Sequence, residues 1–379
     1  MSKDYVRKKS QLLFLNSNKE IQVGRIEDLP LSIDYIKKID RDSLEVQKVF
    51  KGFTSIVYKI KVDGKSYALK KKREKAVIRN IDARVSFLNE IQRRRDFENL
   101  KKTAPRLYDG IVKTIYASLN NGFILSPWIN GDDITLVNGR EVYENLFDTI
   151  HHMECNGFFE WDPCPGNILV VNGNQVKLFD FGYNYVFNPL SEYNSAGKKE
   201  PIFHGVERFE TRTFMGELLV KVEDMGEDRV LTEYKVEKEA ALKYFEKKLR
   251  WLEEQQANDD IIIWMRRAIE RCELGLTNED SLKRLYILES FRSYVLDVNI
   301  DIAGKWCNWR TLKQVDRILK ILNRDYDLLK QDSGLFWGDE LLSKKKLIEK
   351  YKKSRDKVIE YKARDDEYLR KIGANSSLK

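Results

Sequence analysis

Apolar and polar residues alternate through the segment from Leu44 to Lys72. The three runs of alternation are Val46–Phe50, Ile56–Val62 and Tyr67–Leu69. Gly52 separates the first two runs, and Asp63-Gly64 separates the second from the third. A period of two residues is typical of strands with one buried face, and an Asp-Gly pair favours a tight hairpin. The pattern therefore predicts three antiparallel strands in sequence.

Downstream of these strands the spacing of apolar residues changes to three or four. This spacing predicts a helix from about Arg79 to Leu100, which Pro105 ends, and a second helix from Glu141 to Met153. Two further strands, Gly110–Ala117 and Phe123–Leu125, are predicted between the two helices. This part of the chain therefore mixes strands and helices.

The two ends of the chain have other patterns. Near the start, the short apolar runs Leu12–Leu15 and Ile21–Val23 are interpreted as strand-like. Beyond about Thr213 helical spacing dominates, and it finishes with a predicted basic helix from about Asp339 to Ile372. We therefore expect the second half of the chain to be mainly helical.

One loop and the hairpin after it concentrate carboxylate and amide side chains. Asp162 and Asn167 lie five residues apart on a loop stiffened by two prolines, and the hairpin then leads to Asp180-Phe181-Gly182. Phosphoryl transfer needs a cation that holds the donor phosphates, oxygen ligands for magnesium and a carboxylate that orients the acceptor. This segment supplies the last two of these requirements.

The segment resembles the catalytic loop and the metal-binding Asp-Phe-Gly element of protein-kinase-like enzymes. It is most similar to the branch with an H-G-D-x-x-P-x-N loop, which includes small-molecule kinases and lipopolysaccharide sugar kinases. The resemblance implies that Asp162 is the catalytic base or the residue that orients the acceptor. It also implies that Asn167 and Asp180 hold Mg²⁺, with ATP as the phosphate donor.

The upstream strands fit the same resemblance. Lys70, in Tyr67-Ala-Leu-Lys70, would be the catalytic lysine that binds the α and β phosphates, and Glu90 on the following helix would pair with it. Strand alternation places Ala68 and Lys70 on one face. A shift of one residue toward Lys71 stays open from the sequence alone.

The resemblance also implies an ATP pocket. The implied cofactor-binding residues are Gly52, Ser55, Val57, Ala68, Lys70, Glu90, Ser126 and Trp128. Gly52, Ser55 and Val57 would belong to the glycine-rich loop pattern, while Val57 and Ala68 would pack on adenine. Backbone groups of about Ser126 to Trp128 would contact the adenine edge.

The sequence departs from the family pattern at three places. Phe50 and Ser55 replace two glycines of the loop over the phosphates, and Glu160 replaces the usual histidine two residues before the catalytic Asp. Glu160 either substitutes as a hydrogen-bond acceptor or marks altered chemistry. No Ala-Pro-Glu sequence follows Gly182, which favours an acceptor other than a peptide.

The resemblance implies an α+β, bilobal protein-kinase-like fold with a small antiparallel β N-lobe, a helical C-lobe and an additional C-terminal helical region. The predicted segments are an N-terminal extension (1–43), a nucleotide-binding N-lobe and hinge (44–130), a C-lobe with the catalytic loop and Asp-Phe-Gly (131–235), a helical region (236–338), and a basic helix and tail (339–379).

The distribution of charge along the chain limits which classes of binding partner are expected. The formal net charge is +8, and residues 341–371 carry twelve Lys or Arg against six Asp or Glu. The half of the chain that carries the catalytic-loop motif has nearly equal numbers of basic and acidic residues, which argues against nucleic acid as the partner. The basic C-terminal helix leaves three interpretations open: a coiled coil that makes the chain a homo-oligomer, a single docked or solvated helix, or contact with an anionic membrane.

Two further features bear on location and acceptor. The N-terminus lacks the layout of a secretory signal, and the four cysteines are widely spaced. We expect a cytoplasmic protein, at the periphery of the inner membrane if its basic helix binds lipid, or in a host cytosol if it is an exported effector. Arg208 and Arg212 either bind an anionic acceptor or form salt bridges with Glu207 and Glu210.

The sequence supports three functions in different classes. The first is an ATP-dependent kinase that phosphorylates a hydroxyl of a glycan or a lipid-linked sugar, for example in lipopolysaccharide. The second is an atypical protein kinase whose acceptor is a protein. The third is a pseudokinase scaffold, although Lys70, Asp162, Asn167 and Asp180 are all present.

Overall fold

The computed structural model describes residues 2–52, 54–74, 80–137, 139–199, 203–305 and 307–371, with side chains as far as residue 362. The chain forms two units. Unit 1 comprises residues 1–137, 148–162 and 166–205, and unit 2 comprises residues 138–147, 163–165 and 206–379. The five predicted segments follow other boundaries and stay a prediction.

An antiparallel sheet of six strands forms the first part of unit 1. Its strands are β1 (Gln22–Val23), β2 (Val46–Lys51), β3 (Ser55–Val62), β4 (Lys65–Lys72), β5 (Tyr116–Ser118) and β6 (Phe123–Pro127). They lie in the order β1-β5-β6-β4-β3-β2. The three predicted sequential strands are confirmed as β2, β3 and β4. The predicted strand over Gly110–Ala117 is wrong for most of its length, because β5 begins only at Tyr116.

Each face of this sheet packs against different helices. Tyr58, Ile60 and Leu69 lie on one face, in an apolar cluster with Ile36 of helix α2 (Ile33–Lys38). On the other face, Ile124 packs in a second cluster with residues of helix α3. Helix α3 (Ile81–Thr103) begins after Asn80, whose side chain accepts a hydrogen bond from the Ala83 amide. The predicted start of α3 at Arg79 lies outside the described residues.

The first helix of the chain was not predicted from the sequence. Residues interpreted as strand-like, Leu12–Leu15, belong to helix α1 (Lys3–Leu15), which Ser2 caps. Phe14 and Leu15 pack against the apolar cluster on α3, whereas Leu13 is exposed. The strand-like interpretation of Leu12–Leu15 is therefore wrong, and that of Ile21–Val23 is confirmed in part by β1.

The rest of unit 1 carries the loop and hairpin singled out in the sequence. Its strands are β7 (Asp132–Asp133), β8 (Phe158–Glu160), β9 (Ile168–Val171), β10 (Gln175–Leu178) and β11 (Asn184–Val186). Strands β9 and β10 form the predicted hairpin, with Ile168 opposite Leu178. Because Asn167 directly precedes β9 and Asp180 follows β10 by two residues, the hairpin carries both side chains at its open end.

Helices make up most of unit 2, as predicted beyond Thr213. The remaining helices of the chain are α4 (Arg140–Cys155), α5 (Gly205–Phe209), α6 (Met215–Met225), α7 (Glu227–Glu254), α8 (Asp259–Leu276), α9 (Glu279–Gly304), α10 (Trp309–Arg324), α11 (Tyr326–Gln331) and α12 (Lys344–Lys371). Helix α10 packs against α9 and α12. Helix α12 begins at Lys344, five residues after the predicted start at Asp339, because Asp339–Leu341 forms a 3₁₀ turn instead. The predicted end at Ile372 lies outside the described residues.

The mixed composition of helices and an antiparallel sheet agrees with the predicted α+β class. Within the part of the chain that the structure describes, no helix combines the length and the apolar character needed to cross a bilayer.

Candidate active site

A buried lysine joins two carboxylates in unit 1. The Nζ atom of Lys70, on β4, lies 2.6 Å from Glu90 Oε2 on α3 and 2.7 Å from Asp180 Oδ2 after β10. Lys70 is 9% exposed and Glu90 is 1% exposed. The structure therefore brings together three residues that the sequence places 20 to 110 positions apart.

The register of β4 decides which lysine enters this cluster. Lys70 pairs with Val57 of β3 and Ile124 of β6, on the face of the sheet that packs toward α3. Lys71 points to the other face, where its Nζ donates to the carbonyls of Lys37 and Ile39 at the end of α2. Lys70 and not Lys71 therefore lies beside Glu90 and Asp180, as strand alternation favoured, and a catalytic role for Lys70 stays a prediction.

Electrostatics keep Lys70 and Asp180 charged. Burial by itself would lower the pKa of Lys70, but the carboxylates of Asp180 and Glu90 outweigh it and raise that pKa. Burial would raise the pKa of Asp180, yet the Lys70 ammonium and a hydrogen bond from the Gly182 amide lower it. A buried ammonium group and a partly exposed carboxylate thus keep their charges within this cluster.

Arg94 is a second buried cation of this region, and the sequence analysis missed it. Its guanidinium donates to Glu90 Oε1 at 3.0 Å, to the Phe179 carbonyl at 2.6 Å and to Ser126 Oγ at 3.1 Å. It therefore binds the carboxylate oxygen of Glu90 that Lys70 does not contact, and it connects α3 with the residue directly before Asp180. Arg94 lies in a run of charged residues, so no sequence pattern distinguishes it from its exposed neighbour Arg95.

The Asp-Phe-Gly element is held by packing of its phenylalanine and by the short distance between its glycine and α3. Phe181 is fully buried, and its ring meets that of Phe97 edge to face at 4.8 Å. The Gly182 amide donates to Asp180 Oδ1 at 3.1 Å. A Cβ atom at position 182 would lie 3.3 Å from Ser86 Cβ and 3.4 Å from Asp180 Oδ1, so glycine lets this segment lie close to α3.

The catalytic-loop candidate is held through its backbone. Asn167 Nδ2 donates to the Asp162 carbonyl at 2.9 Å, and the Asp162 amide donates to Glu160 Oε1 at 2.9 Å. Glu160 therefore serves as a hydrogen-bond acceptor, one of the two roles considered for a residue in the usual histidine position. These two bonds define the conformation of the loop around Asp162.

Glu160 is the most perturbed carboxyl of this loop. Burial raises its pKa from the ordinary value of 4.5 to about 8, and the negative charges of Asp162 and Asp180 add to the rise. In the folded protein the carboxyl is therefore neutral below about pH 8. A neutral Glu160 keeps a third negative charge away from Asp162 and Asp180.

Replacing Glu160 tests this protonation state. In the folded protein the Glu160 carboxyl keeps its proton up to about pH 8, whereas in the unfolded chain it loses the proton near pH 4.5. The native state thus binds more protons between these values, so its stability declines as pH rises from about 4.5 to 8. We expect Glu160→Gln to raise the free energy of unfolding by about 2–4 kcal/mol at pH 9 and by less than about 1 kcal/mol at pH 5. Denaturant unfolding at the two pH values measures this, and equal effects at both would contradict it.

Asn167 and Asp180 offer oxygen ligands of the kind that magnesium prefers. Because Asn167 Nδ2 is used on the Asp162 carbonyl, its Oδ1 is the atom left to face a cation. Asp180 adds a carboxylate at the same end of the hairpin. Mg²⁺ usually takes one or two such protein ligands and completes its shell with water and phosphate oxygens. The donor set therefore fits magnesium, although the described residues contain no cluster of three or more His, Cys, Asp or Glu side chains suited to a metal.

Some of the predicted ATP-pocket residues lie on the strands beside Lys70. Val57 and Ala68 are half-buried on the same face of the sheet as Lys70, and Ala68 pairs with Ser126. The Trp128 amide donates to the Ser66 carbonyl, which fixes the chain after β6.

The loop side of the pocket has its own contacts. The Gly52 carbonyl accepts a hydrogen bond from Arg73 Nε at 2.8 Å, and the side chain of Ser55 is buried. The Phe50 ring stacks on Trp128 at 5.8 Å. A role of these residues in ATP binding stays a prediction.

Unit 2 contains the arginines considered as anion ligands. Arg212 forms an ion pair with Asp297, while Glu207 and Glu210 pair with Arg292 and Lys238. Salt bridges are thus the interpretation that the structure favours for Arg212, with a partner from α9 that the sequence did not identify.

The chain is only distantly similar to known proteins. No family model matches the chain. The uncharacterized protein sll0005 of Synechocystis sp. is 28% identical over 124 residues, which cover 30% of this chain and 17% of that protein. The chain thus matches less than a fifth of the length of this relative.

Solved structures similar to the chain include two of WbdD, one described as a bifunctional kinase-methyltransferase. The first is 16% identical, with a TM-score of 0.29, and covers 38% of this chain and 34% of that chain. The second is 14% identical, with a TM-score of 0.29, and covers 38% of this chain and 35% of that chain. At this level of similarity, the geometry of the site has to carry the functional argument.

Proposed function

We propose that this chain is an ATP-dependent phosphotransferase of the protein-kinase-like kind. The observation that carries the proposal is the buried Lys70 held between Glu90 and Asp180. Burying a cation costs desolvation free energy, even when two carboxylates pair with it, so such a cluster points to a function other than stability. Phosphoryl transfer is such a function, because it depends on a fixed cation at the donor phosphates.

Each residue has a definite role in the proposed reaction. Lys70 binds the donor phosphates, and Glu90 together with Arg94 holds Lys70 in place. The carboxylate of Asp162 accepts the proton of the acceptor hydroxyl as the phosphoryl group is transferred. Glu160 and Asn167 keep the Asp162 backbone in position through the two hydrogen bonds to its amide and carbonyl.

Asn167 and Asp180 would hold magnesium. When bound, the ion supplies positive charge that offsets the charge on the transferring phosphoryl group. The lowered pKa of Asp180 keeps its carboxylate ionised, and therefore ready to bind a cation, throughout the neutral range.

The acceptor we propose is a hydroxyl of a sugar, in lipopolysaccharide or another surface glycan. Two features of the sequence support a non-peptide acceptor: the Asp162-x-x-Pro165-x-Asn167 spacing, which resembles the small-molecule branch, and the lack of Ala-Pro-Glu after Gly182. A protein acceptor is the alternative that the experiment below has to separate.

ATP consumption with magnesium, measured against three acceptor conditions, tests this proposal. The conditions are no acceptor, a generic protein and a lipopolysaccharide or oligosaccharide extract. Turnover only with the glycan supports a carbohydrate kinase. Turnover with the generic protein favours a protein kinase instead. Nucleotide binding without turnover under every condition contradicts the proposed activity.

The Lys70–Glu90 pair gives a separate prediction. Glu90→Gln keeps the shape of the side chain but removes one of the two charges that hold Lys70. We expect turnover to fall about 10- to 100-fold, because the lysine loses its fixed position at the donor phosphates. Steady-state kinetics measures the loss. Glu98→Gln, on the same helix but paired with Lys101, is the control, and an equal loss in both variants would contradict a specific role for Glu90.

A further inference from the structure

We propose that helix α1 is part of the catalytic apparatus, and that Gln11 and Asn89 are positioning residues that tie α1 and α3 to the segment after Asp180. The inference rests on the proposed phosphotransferase function. It extends that function to a part of the chain outside the elements from which the sequence resemblance was argued.

A chain of hydrogen bonds runs from α1 to the Asp-Phe-Gly segment. Gln11 Nε2 donates to Asn89 Oδ1 on α3 at 2.9 Å. Asn89 Nδ2 lies 3.0 Å from the Phe181 carbonyl, 3.2 Å from that of Gly182 and 2.8 Å from that of Asn184. Both side chains are buried, so water does not replace these bonds at low cost.

The groups at the two ends of this series of hydrogen bonds, the Arg7 guanidinium and the backbone carbonyls, determine which atom donates in each bond. Three carbonyls can only accept, so the amide nitrogen of Asn89 must face them and its Oδ1 must face Gln11. Gln11 then has to present Nε2 to Asn89 and Oε1 to Arg7, whose Nη1 donates to that oxygen at 2.9 Å. An amide at each position satisfies this arrangement, because it donates on one side and accepts on the other, whereas an ionised carboxylate can only accept.

A second set of contacts ties α1 to the same two elements. Arg7 Nη2 lies 2.7 Å from Asp82 Oδ1 in the first turn of α3, and the Arg7 guanidinium stacks 3.6 Å over the Tyr185 ring of β11. Lys8 Nζ lies 2.8 Å from Asp82 Oδ2. Helix α1 therefore contacts both the start of α3 and the strand that follows the Asp-Phe-Gly element.

The position of Asn89 links these contacts to the chemistry. Asn89 directly precedes Glu90, the partner of Lys70, and its amide contacts the two residues that follow Asp180. Fixing Asn89 thus fixes the helix that carries Glu90 relative to the backbone that carries Asp180. Loss of this link would let the metal-binding carboxylate move away from Lys70 without unfolding the sheet.

Hydrogen exchange of the nucleotide-free protein tests the positioning role directly. Gln11→Glu keeps the size and the bond from Arg7 but removes the donor to Asn89. We expect exchange of the Gly182 and Asn184 amides, which donate to Asp180 Oδ1 and the Phe181 carbonyl, to speed up about 10-fold or more. Gln331→Glu, an exposed glutamine at the end of α11, makes the same chemical change and should leave both rates unchanged.

Magnesium dependence tests the link to catalysis. Asn89→Asp removes the donor to three carbonyls, and we expect the magnesium concentration for half-maximal turnover to rise at least about 10-fold, with a smaller rise for Gln11→Glu. A variant that merely reduced the folded fraction would lower the maximal rate at an unchanged magnesium midpoint. Asn99→Asp is the matched control, an exposed asparagine on the same helix whose Oδ1 accepts from Lys102.

The outcomes separate this inference from the proposed function. Unchanged exchange in Gln11→Glu, or an unchanged magnesium midpoint in both variants, overturns the positioning role. Should Asn89→Asp fail to fold, Gln11→Glu decides both measurements. If the wild type consumes no ATP with any acceptor, the proposed function fails, and the exchange rates alone decide whether α1 positions the segment.

Discussion

Asp180→Asn is expected to lower magnesium-dependent ATP turnover by about three orders of magnitude or more while the fold is retained. Asparagine can still accept the Gly182 amide through Oδ1, so the backbone turn survives. The substitution removes the carboxylate offered to magnesium, and it turns an amide nitrogen toward the ammonium of Lys70, now 2.7 Å from Asp180 Oδ2. Steady-state kinetics with a thermal unfolding curve on the same sample measures both parts of the prediction.

The control for this substitution is Asp109→Asn. Asp109 is an exposed aspartate that pairs with Lys177 at 2.9 Å, and surface pairs of this kind contribute little to stability. Its turnover should stay within about twofold of the wild type. A turnover of Asp180→Asn above a tenth of the wild-type value would remove Asp180 from the proposed metal site.

Asp162→Asn is expected to lower turnover by about 10²- to 10⁴-fold while the affinity for magnesium-ATP stays within about threefold of the wild type. Turnover falls because an amide cannot accept the proton of the acceptor hydroxyl. The affinity is kept because the loop is held through the Asp162 amide and carbonyl, which the substitution leaves in place. Equilibrium binding of ATP beside steady-state kinetics separates the two effects.

This separation between turnover and affinity distinguishes a catalytic residue from one that supports the loop. An equal loss of turnover and ATP affinity would show that Asp162 shapes the nucleotide site instead. Unchanged turnover would show that another group accepts the proton, and would contradict the assignment of Asp162.

The sequence could predict which of these side chains lie close together because its signals are local. Alternation with a period of two predicted β3 and β4 and favoured Lys70 over Lys71, and the register of β4 then placed Lys70 on the face that packs toward α3. The catalytic-loop and Asp-Phe-Gly motifs lie on one short hairpin, so their proximity follows from β9 pairing with β10. The Lys70–Glu90 contact required only that the next helix pack on the sheet.

The elements that the sequence missed depend on tertiary contacts. Four consecutive apolar residues, Leu12–Leu15, fit a strand or a buried helix equally well, and only packing on α3 identifies α1. Arg94 is buried while the neighbouring Arg95 is exposed, although both belong to one charged run. Asn89 belongs to no recognisable motif, because the carbonyls that its amide contacts lie more than 90 residues away in the sequence.

The partner of Arg212 shows the same limit. Sequence proximity suggested Glu207 and Glu210 as its partners, but Asp297, on a later helix, forms the ion pair. Partners of buried charges are set by which helices pack together, and helical spacing does not specify that for so long a helical unit.

The proposed reaction transfers the γ-phosphate of ATP to a glycan hydroxyl, and γ-labelled ATP follows that transfer. Wild-type protein is incubated with magnesium, γ-labelled ATP and a lipopolysaccharide or oligosaccharide extract, beside Asp162→Asn and Asp109→Asn. We expect a stable phosphate ester on a glycan hydroxyl in the wild type and in Asp109→Asn, and its loss in Asp162→Asn. Label that remains in ATP, or that appears only as free phosphate at the same rate in all three proteins, would contradict the proposed transfer.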